Sequence, residues 1–195
     1  MAEGQPGHSE PSLSMKMVLS TVRHRFRNVR QLSTDKLAQW MKEPRGENAG
    51  ERSSAEKREV VLLDTRPVEE YEVSHLPEAV RIDPDVKDIS SVSHTWSHRD
   101  TDSDNARRIT VVCYCSLGYR SSRMVERLQD YLATNSGNVD KPAVEVYNLE
   151  GSLFKWANEG RPMVDYNNQP TIYAHPFSAV WGRLLSERLR REKPS

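Results

Sequence analysis

The chain has 195 residues, 28 Lys plus Arg against 28 Asp plus Glu, and 36% apolar residues. A chain of this length suits one compact domain with polar ends, and the balanced charge excludes a global positive field for holding nucleic acid or an anionic membrane. No apolar run approaches the roughly 20 residues of a membrane-spanning helix, so a soluble protein is expected, with no nucleic-acid or membrane partner.

Residues 1 to about 30 read as a polar, flexible tail and connector without the apolar core of a signal peptide. Between Met15 and Lys36, six basic residues face one acid, Asp35, a bias faintly like a mitochondrial presequence; Glu3 and Glu10 oppose that reading. Cytoplasm is the expected compartment and the mitochondrion the alternative. Ser33, Thr34 and Asp35 form a helix-start cluster, with Leu37, Trp40 and Met41 at helical spacing behind it. Lys42 to Arg58 is charged, contains Pro44, Gly46 and Gly50, and reads as a solvated linker.

Val60-Val61-Leu62-Leu63 is too short for a helix and fits a buried parallel strand. Pro67 opens a helical turn over Val68 and Tyr71, Ala79 to Ile82 suggests a short strand, and Pro84 to Arg108 reads as a long surface loop with at most one helical turn. Within that loop His94 and His98 have i, i+4 spacing, but no third ligand accompanies them and no metal is assigned; Trp96 is expected to anchor the loop. Ile109 to Cys113 is the clearest strand, and Met124, Val125, Leu128, Tyr131 and Leu132 then form one apolar helix face. Val144 to Leu149 predicts a strand, and Leu153, Phe154 and Trp156 a short helix stopped by Gly160 and Pro162. Val180, Trp181, Leu184, Leu185 and Leu189 suggest a short amphipathic helix in a C-terminal extension over 166–195, packed back on the domain. The domain proper is placed at 31–165. Alternating strands and helices imply an α/β fold, a small, mostly parallel sheet with helices on both faces, whose sites lie at the carboxyl ends of strands.

The two cysteines, Cys113 and Cys115, lie one residue apart. Strand residues two apart are separated by about 6.6 Å and point to the same face, which argues against a disulfide, and no second ligand pair supports zinc. Cys113 reads as a small buried apolar group. Cys115 is different. It follows a buried strand, opens the run Cys115-Ser116-Leu117-Gly118-Tyr119-Arg120-Ser121, and precedes a helix. Backbone N–H groups of such a loop converge on one point, and the helix N-terminus adds partial positive charge. A cysteine so placed, with a nearby cation, can be held as a thiolate, its pKa falling from roughly 8.5 into the range of about 3.5 to 7.5. The spacing alone leaves thiol catalysis and plain anion binding both open.

This run resembles the active-site loop of the rhodanese family, in which the catalytic cysteine is followed by glycine three positions on and arginine five positions on. Leu63-Asp64-Thr65-Arg66, Glu70-Tyr71 and His75-Leu76-Pro77 resemble that family's early signature. Leu149 to Trp156 and Gly160-Arg161-Pro162 resemble its late one. Ser74, Glu78 and Glu150 stand where the family usually has glycine. The resemblance runs from about Leu32 to Val164. It implies a single-domain thiosulfate sulfurtransferase: Cys115 as catalytic nucleophile, Arg120 with Ser116, Leu117, Gly118, Tyr119 and Ser121 around the substrate, and Asp64 and Arg66 supporting the loop by ion pairing. It also implies a covalent persulfide in place of a cofactor, with a small sulfur donor such as thiosulfate and a thiophilic acceptor, cyanide, a thiol or a protein, as partners. A non-catalytic regulatory or sulfur-relay module is the alternative. Cell-cycle dual-specificity phosphatases resemble this loop too, but with Cys-x5-Arg where this chain has Cys-x4-Arg.

Overall fold

The computed structural model describes residues 11–42, 58–97, 108–135 and 143–194. In chain order the elements are α1 (Leu13–Arg25), β1 (Gln31–Leu32), α2 (Thr34–Lys42), β2 (Arg58–Asp64), α3 (Val68–Val73), β3 (Val80–Arg81), α4 (Ile89–Ser97), β4 (Arg108–Tyr114), α5 (Tyr119–Thr134), β5 (Ala143–Leu149), α6 (Ser152–Asn158), β6 (Met163–Val164) and β7 (Pro170–Thr171). β1 to β5 form one sheet of order β1-β5-β4-β2-β3, parallel throughout, and β6 pairs antiparallel with β7. This is the α/β architecture expected from the alternating pattern.

β4 lies between β2 and β5 and is buried from Ile109 to Tyr114. A strand covered on both faces has no polar side to alternate with, so its sequence reads as an apolar run. Val112 and Tyr114 face a cluster with Leu37 and Trp40 of α2 and Leu153, Phe154 and Trp156 of α6. Ile109, Val111 and Cys113 face the opposite cluster, with Val92 and Trp96 of α4 and Met124, Val125 and Leu128 of α5. Cys113 is therefore a core residue, and burial together with Cys115 holds its pKa far above the ordinary thiol range.

Three expectations are corrected. Residues 13–25 are a helix, not part of a polar connector: the Ser12 hydroxyl accepts from the Met15 N–H at 3.2 Å, and Met15 joins one core cluster while Val22 and Phe26 join the other. Its apolar residues are spread around the helix and form no single face: Leu13 and Met17 are exposed, whereas Met15, Val22 and the following Phe26 reach a core. The 84–108 stretch contains the nine-residue α4, with Val92 and Trp96 buried; His94 lies on it, exposed, and His98 is outside the described residues, as are 43–57 of the expected linker.

The C-terminal segment forms two 3₁₀ turns, Trp181–Leu184 and Glu187–Leu189, in place of an amphipathic helix. Backbone bonds from Ala174 N–H to Leu189 O (2.7 Å) and Arg191 N–H to Ala174 O (3.0 Å) draw the segment into an extended pairing incompatible with a continuing helix. Leu185 and Leu189 are buried, whereas Val180 stays 70% exposed. Among the described residues no helix is long and apolar enough to cross a membrane.

If α1 is an integral layer, Phe26→Ala should destabilise the domain by about 3 kcal/mol, read as a lower urea midpoint. An unchanged midpoint would make α1 a detachable appendage.

Candidate active site

β4 ends at Tyr114, and Cys115 leaves the sheet at the carboxyl end of its central strand, where parallel sheets expose the crevice between diverging connections. The loop that follows turns through Gly118, whose φ of +107° is open to glycine but strained for other residues, and passes directly into the 16-residue α5. A Cβ at Gly118 would also lie 3.3 Å from Asn148 Nδ2. Within this turn the Gly118 N–H donates to Cys115 Sγ at 3.1 Å, and the Ser121 backbone N–H is directed toward the sulfur.

Cys115 is 2% exposed. Burial alone would raise its pKa, but the Arg120 charge, Ser121 and the Gly118 N–H together outweigh it, and the thiol lies below its ordinary value. The neighbour two positions back, without a cation or converging donors, moves the opposite way. Loop geometry, not burial, separates the two thiols.

The loop is held from three sides. From α3, the Glu70 carboxylate receives both terminal nitrogens of Arg120, at 2.7 and 3.0 Å, and the Ser116 hydroxyl at 2.5 Å; Arg120 also donates to Ser116 Oγ at 2.9 Å. Burial would raise the Glu70 pKa, but the Arg120 contacts and Ser116 hydroxyl bring it below the ordinary carboxylate value. From β5, Asn148 accepts from the Ser121 hydroxyl at 2.6 Å and is itself oriented by Gln31 of β1, which accepts from Asn148 Nδ2 at 2.7 Å. From the turn into α6, the Leu153 and Phe154 N–H groups donate to Cys115 O and Ser116 O at 3.0 and 3.1 Å, and Ser152 Oγ accepts from Cys115 N–H at 3.2 Å.

Asp64 and Arg66 ion-pair with each other at 2.6 Å, fully buried, and Arg66 also donates to Ser74 O at 2.5 Å. The ion pair formed by Asp64 and Arg66 is with each other, Arg66 lying only two residues beyond Asp64, and the ring of Tyr114, directly before Cys115, lies 5.9 Å from the Arg66 guanidinium carbon. Leu117 is buried in the core, and the Tyr119 ring stands half exposed with the edge of Phe26 against it at 5.1 Å.

The rhodanese-like domain model matches residues 50–159, more than half of the chain. The chain belongs to the rhodanese-like domain family. Among solved structures, this rhodanese-like chain is similar to a thiosulfate sulfurtransferase from Pseudomonas aeruginosa (TM-score 0.50, 16% identity), with 86% of this chain and 26% of that one aligned. It is also similar to a rhodanese-related protein from Thermoplasma volcanium (TM-score 0.41, 20% identity, 69% of this chain and 97% of that one). A Rhodopseudomonas palustris protein of unknown function, described as a possible tyrosine phosphatase, gives a TM-score of 0.42 at 17% identity, over 83% of this chain and 98% of that one. The likeness to the Pseudomonas enzyme shows the fold alone. Among curated proteins, the chain is 27% identical over 117 residues to N-(5'-phosphoribosyl)anthranilate isomerase of Bacillus cereus, covering 60% of this chain and 55% of that protein. It thus spans about half the length of that curated relative and about a quarter of the Pseudomonas enzyme.

Two of the departures from the rhodanese pattern have a local explanation. Ser74 has extended backbone, which any residue adopts, and Glu78 takes the left-handed φ of +63° itself, at a cost of order 1 kcal/mol. The residues that sequence reasoning missed are Glu70, Asn148, Gln31 and Ser152. Glu70 was visible only as part of a signature, and its pairing with Arg120, 50 positions away, has no local trace.

In a Cys113→Ala background, iodoacetamide should alkylate Cys115 with a pH midpoint below that of a free thiol. Arg120→Ala should raise the midpoint by about one to three units, since it removes the cation and frees the Glu70 carboxylate. An unmoved midpoint would show that the loop N–H groups alone hold the thiolate.

Proposed function

We propose that this rhodanese-like domain is a sulfurtransferase that takes sulfane sulfur from a small donor onto Cys115 and passes it to a thiophilic acceptor. The observation that carries this reading is the Cys115 sulfur, lowered in pKa and receiving loop N–H donors at the carboxyl end of the central strand.

In the first step the Cys115 thiolate attacks the outer sulfur of a donor such as thiosulfate. A new S–S bond forms on Cys115, the donor's S–S bond breaks, and sulfite departs with that electron pair. In the second step a thiophile such as cyanide or a thiolate attacks the terminal persulfide sulfur, and Cys115 leaves as thiolate. No net oxidation occurs and no cofactor enters. A persulfide is more acidic than a thiol, so the donors that favour the thiolate also favour the loaded anion. The Glu70 pair holds Ser116 and Arg120 in place around that anion, which limits reorganisation between the two steps.

The loop length supports sulfur over phosphate. Four residues separate Cys115 from Arg120, one fewer than in the phosphatases this loop resembles, and a shorter ring of donors suits one sulfur atom better than a tetrahedral group.

Intact mass of the reduced protein after incubation with a sulfane sulfur donor should rise by about one sulfur atom, and cyanide should remove the increment. Cys115→Ser should show none while remaining folded, the exchange being nearly isosteric. Absence of any adduct on folded wild-type protein would overturn the catalytic reading in favour of a binding module. Cys113→Ala should load and discharge at the wild-type rate within about twofold, as expected of a buried apolar thiol; loading without discharge would make Cys113 a resolving thiol.

A further inference from the structure

A cavity of about 280 Å³ lies where the start of α1 and the C-terminal segment meet α6, and no residue of the cysteine loop lines it. Residues 11–15 and 183–190 lie outside the family-matched 50–159, so the cavity exists only because these extensions of the chain fold onto α6. Asn158 of α6 fixes one wall: its amide donates to Leu184 O at 2.7 Å and accepts from the Ser186 N–H at 2.9 Å. The volume is at the lower end of the range for ligand pockets, which suits a small metabolite and is too little for a dinucleotide.

The charges around the cavity do not cancel. Glu159 is its one acid, and that carboxylate is already paired with Lys155 and with Arg161, the latter at 2.5 Å. Lys155 also donates to Thr34 Oγ1 at 2.6 Å. Two guanidinium groups remain. Arg190 uses its Nε on Leu185 O at 2.9 Å and has both terminal nitrogens left, and Arg183 makes no side-chain hydrogen bond or ion pair among the described residues. Two uncompensated cations on one cavity repel each other; an oxyanion bound there removes the repulsion and matches the planar fork of a guanidinium. The lining is otherwise apolar at Pro11, Met15, Leu184 and Leu185, of which Met15 and Leu185 are buried.

We propose that this cavity binds a small organic oxyanion, a phosphate monoester or a carboxylate, with its head group on Arg183 and Arg190 and its apolar body against Met15 and Leu185. The site is apart from Cys115, so the inference goes beyond the sulfurtransferase reading and stands or falls without it. Its occupant touches α1, α6 and the C-terminal segment at once, a set of walls that only the folded chain assembles, and binding therefore stabilises the fold.

The test is titration calorimetry and thermal melting on the full chain, with phenyl phosphate, benzoate and inorganic phosphate as probes. Phenyl phosphate or benzoate should bind the wild type saturably at one site and raise the melting temperature with concentration; the tighter of the two identifies the head group. Inorganic phosphate should bind at least about fivefold more weakly than phenyl phosphate, having no body to bury, and equal affinity overturns the organic class. Arg183→Gln, at an exposed position, should weaken the tighter probe about tenfold or more, and Arg190→Gln likewise. Because Arg190 also holds Leu185 O, Arg183→Gln decides the matter alone if the other variant fails to fold. Capping Cys115 with iodoacetamide should leave the affinity within about twofold, as expected of separate sites. No saturable binding of either organic probe to the folded wild type overturns the assignment, as does an affinity untouched by Arg183→Gln. Binding abolished by the Cys115 cap places the anion in the cysteine loop and overturns it too.

Discussion

The carboxylate of Glu70 is the interaction on which the candidate site depends. It is buried on α3, outside the cysteine loop, and it binds two loop residues at once: both ends of the Arg120 guanidinium and the hydroxyl of Ser116. A buried carboxylate stripped of its cation, or the reverse, leaves an uncompensated charge, so the two groups hold each other in place even where the pair adds little net stability. Because Arg120 sits in the first turn of α5 and Ser116 directly follows Cys115, the pair fixes the span between Cys115 and the helix. The donors on Cys115 are therefore pre-aimed and do not have to be ordered when a substrate arrives.

That arrangement also changes what Arg120 can do. A guanidinium free on all sides is a receptor for anionic substrates. One chelated by a carboxylate and capped by an aromatic ring acts on the cysteine beside it, lowering the thiol pKa against the cost of burial. Loop residues from Ser116 to Ser121 consequently divide their work. Gly118 and Ser121 face the sulfur, Ser116 and Arg120 face Glu70, Leu117 enters the core and Tyr119 faces outward beside Phe26.

Segments outside the family-matched residues 50–159 take part in the site. α1 places Met15 in one core cluster and Val22 and Phe26 in the other, and the same Val22 and Phe26 touch the loop. The C-terminal segment is tied down by Leu185 and Leu189 and by Asn158, which donates to Leu184 O at 2.7 Å and accepts from Ser186 N–H at 2.9 Å. That anchoring presents Phe177 over Arg120. The apolar positions at 180–189 are thus divided between a buried anchor and an exposed surface, where a regular helix would have put them on one stripe.

The order of α2, β2, α3, β3, β4, α5, β5 and α6, the mostly parallel sheet and the position of Cys115 at the end of a buried strand were legible in the sequence, because burial of a strand on both faces and helical amphipathicity are local patterns repeated over several residues. The cysteine loop was legible for the same reason: its cysteine, glycine and arginine lie within six consecutive positions. Glu70, Asn148, Ser152 and Phe177 were not, since each meets the loop across 27 to 57 positions of chain, and Gln31 acts on it only through Asn148, 117 positions away; nothing in their own neighbourhoods records the meeting. α1 escaped notice because its apolar residues serve two clusters and leave no single stripe. The sequence by itself determined which cysteine opens the glycine–arginine loop and which lies inside a buried strand. Only the tertiary structure decided how the nearby cation is charged and capped, because a chelated guanidinium and a free one are the same letter until a distant carboxylate is folded against it.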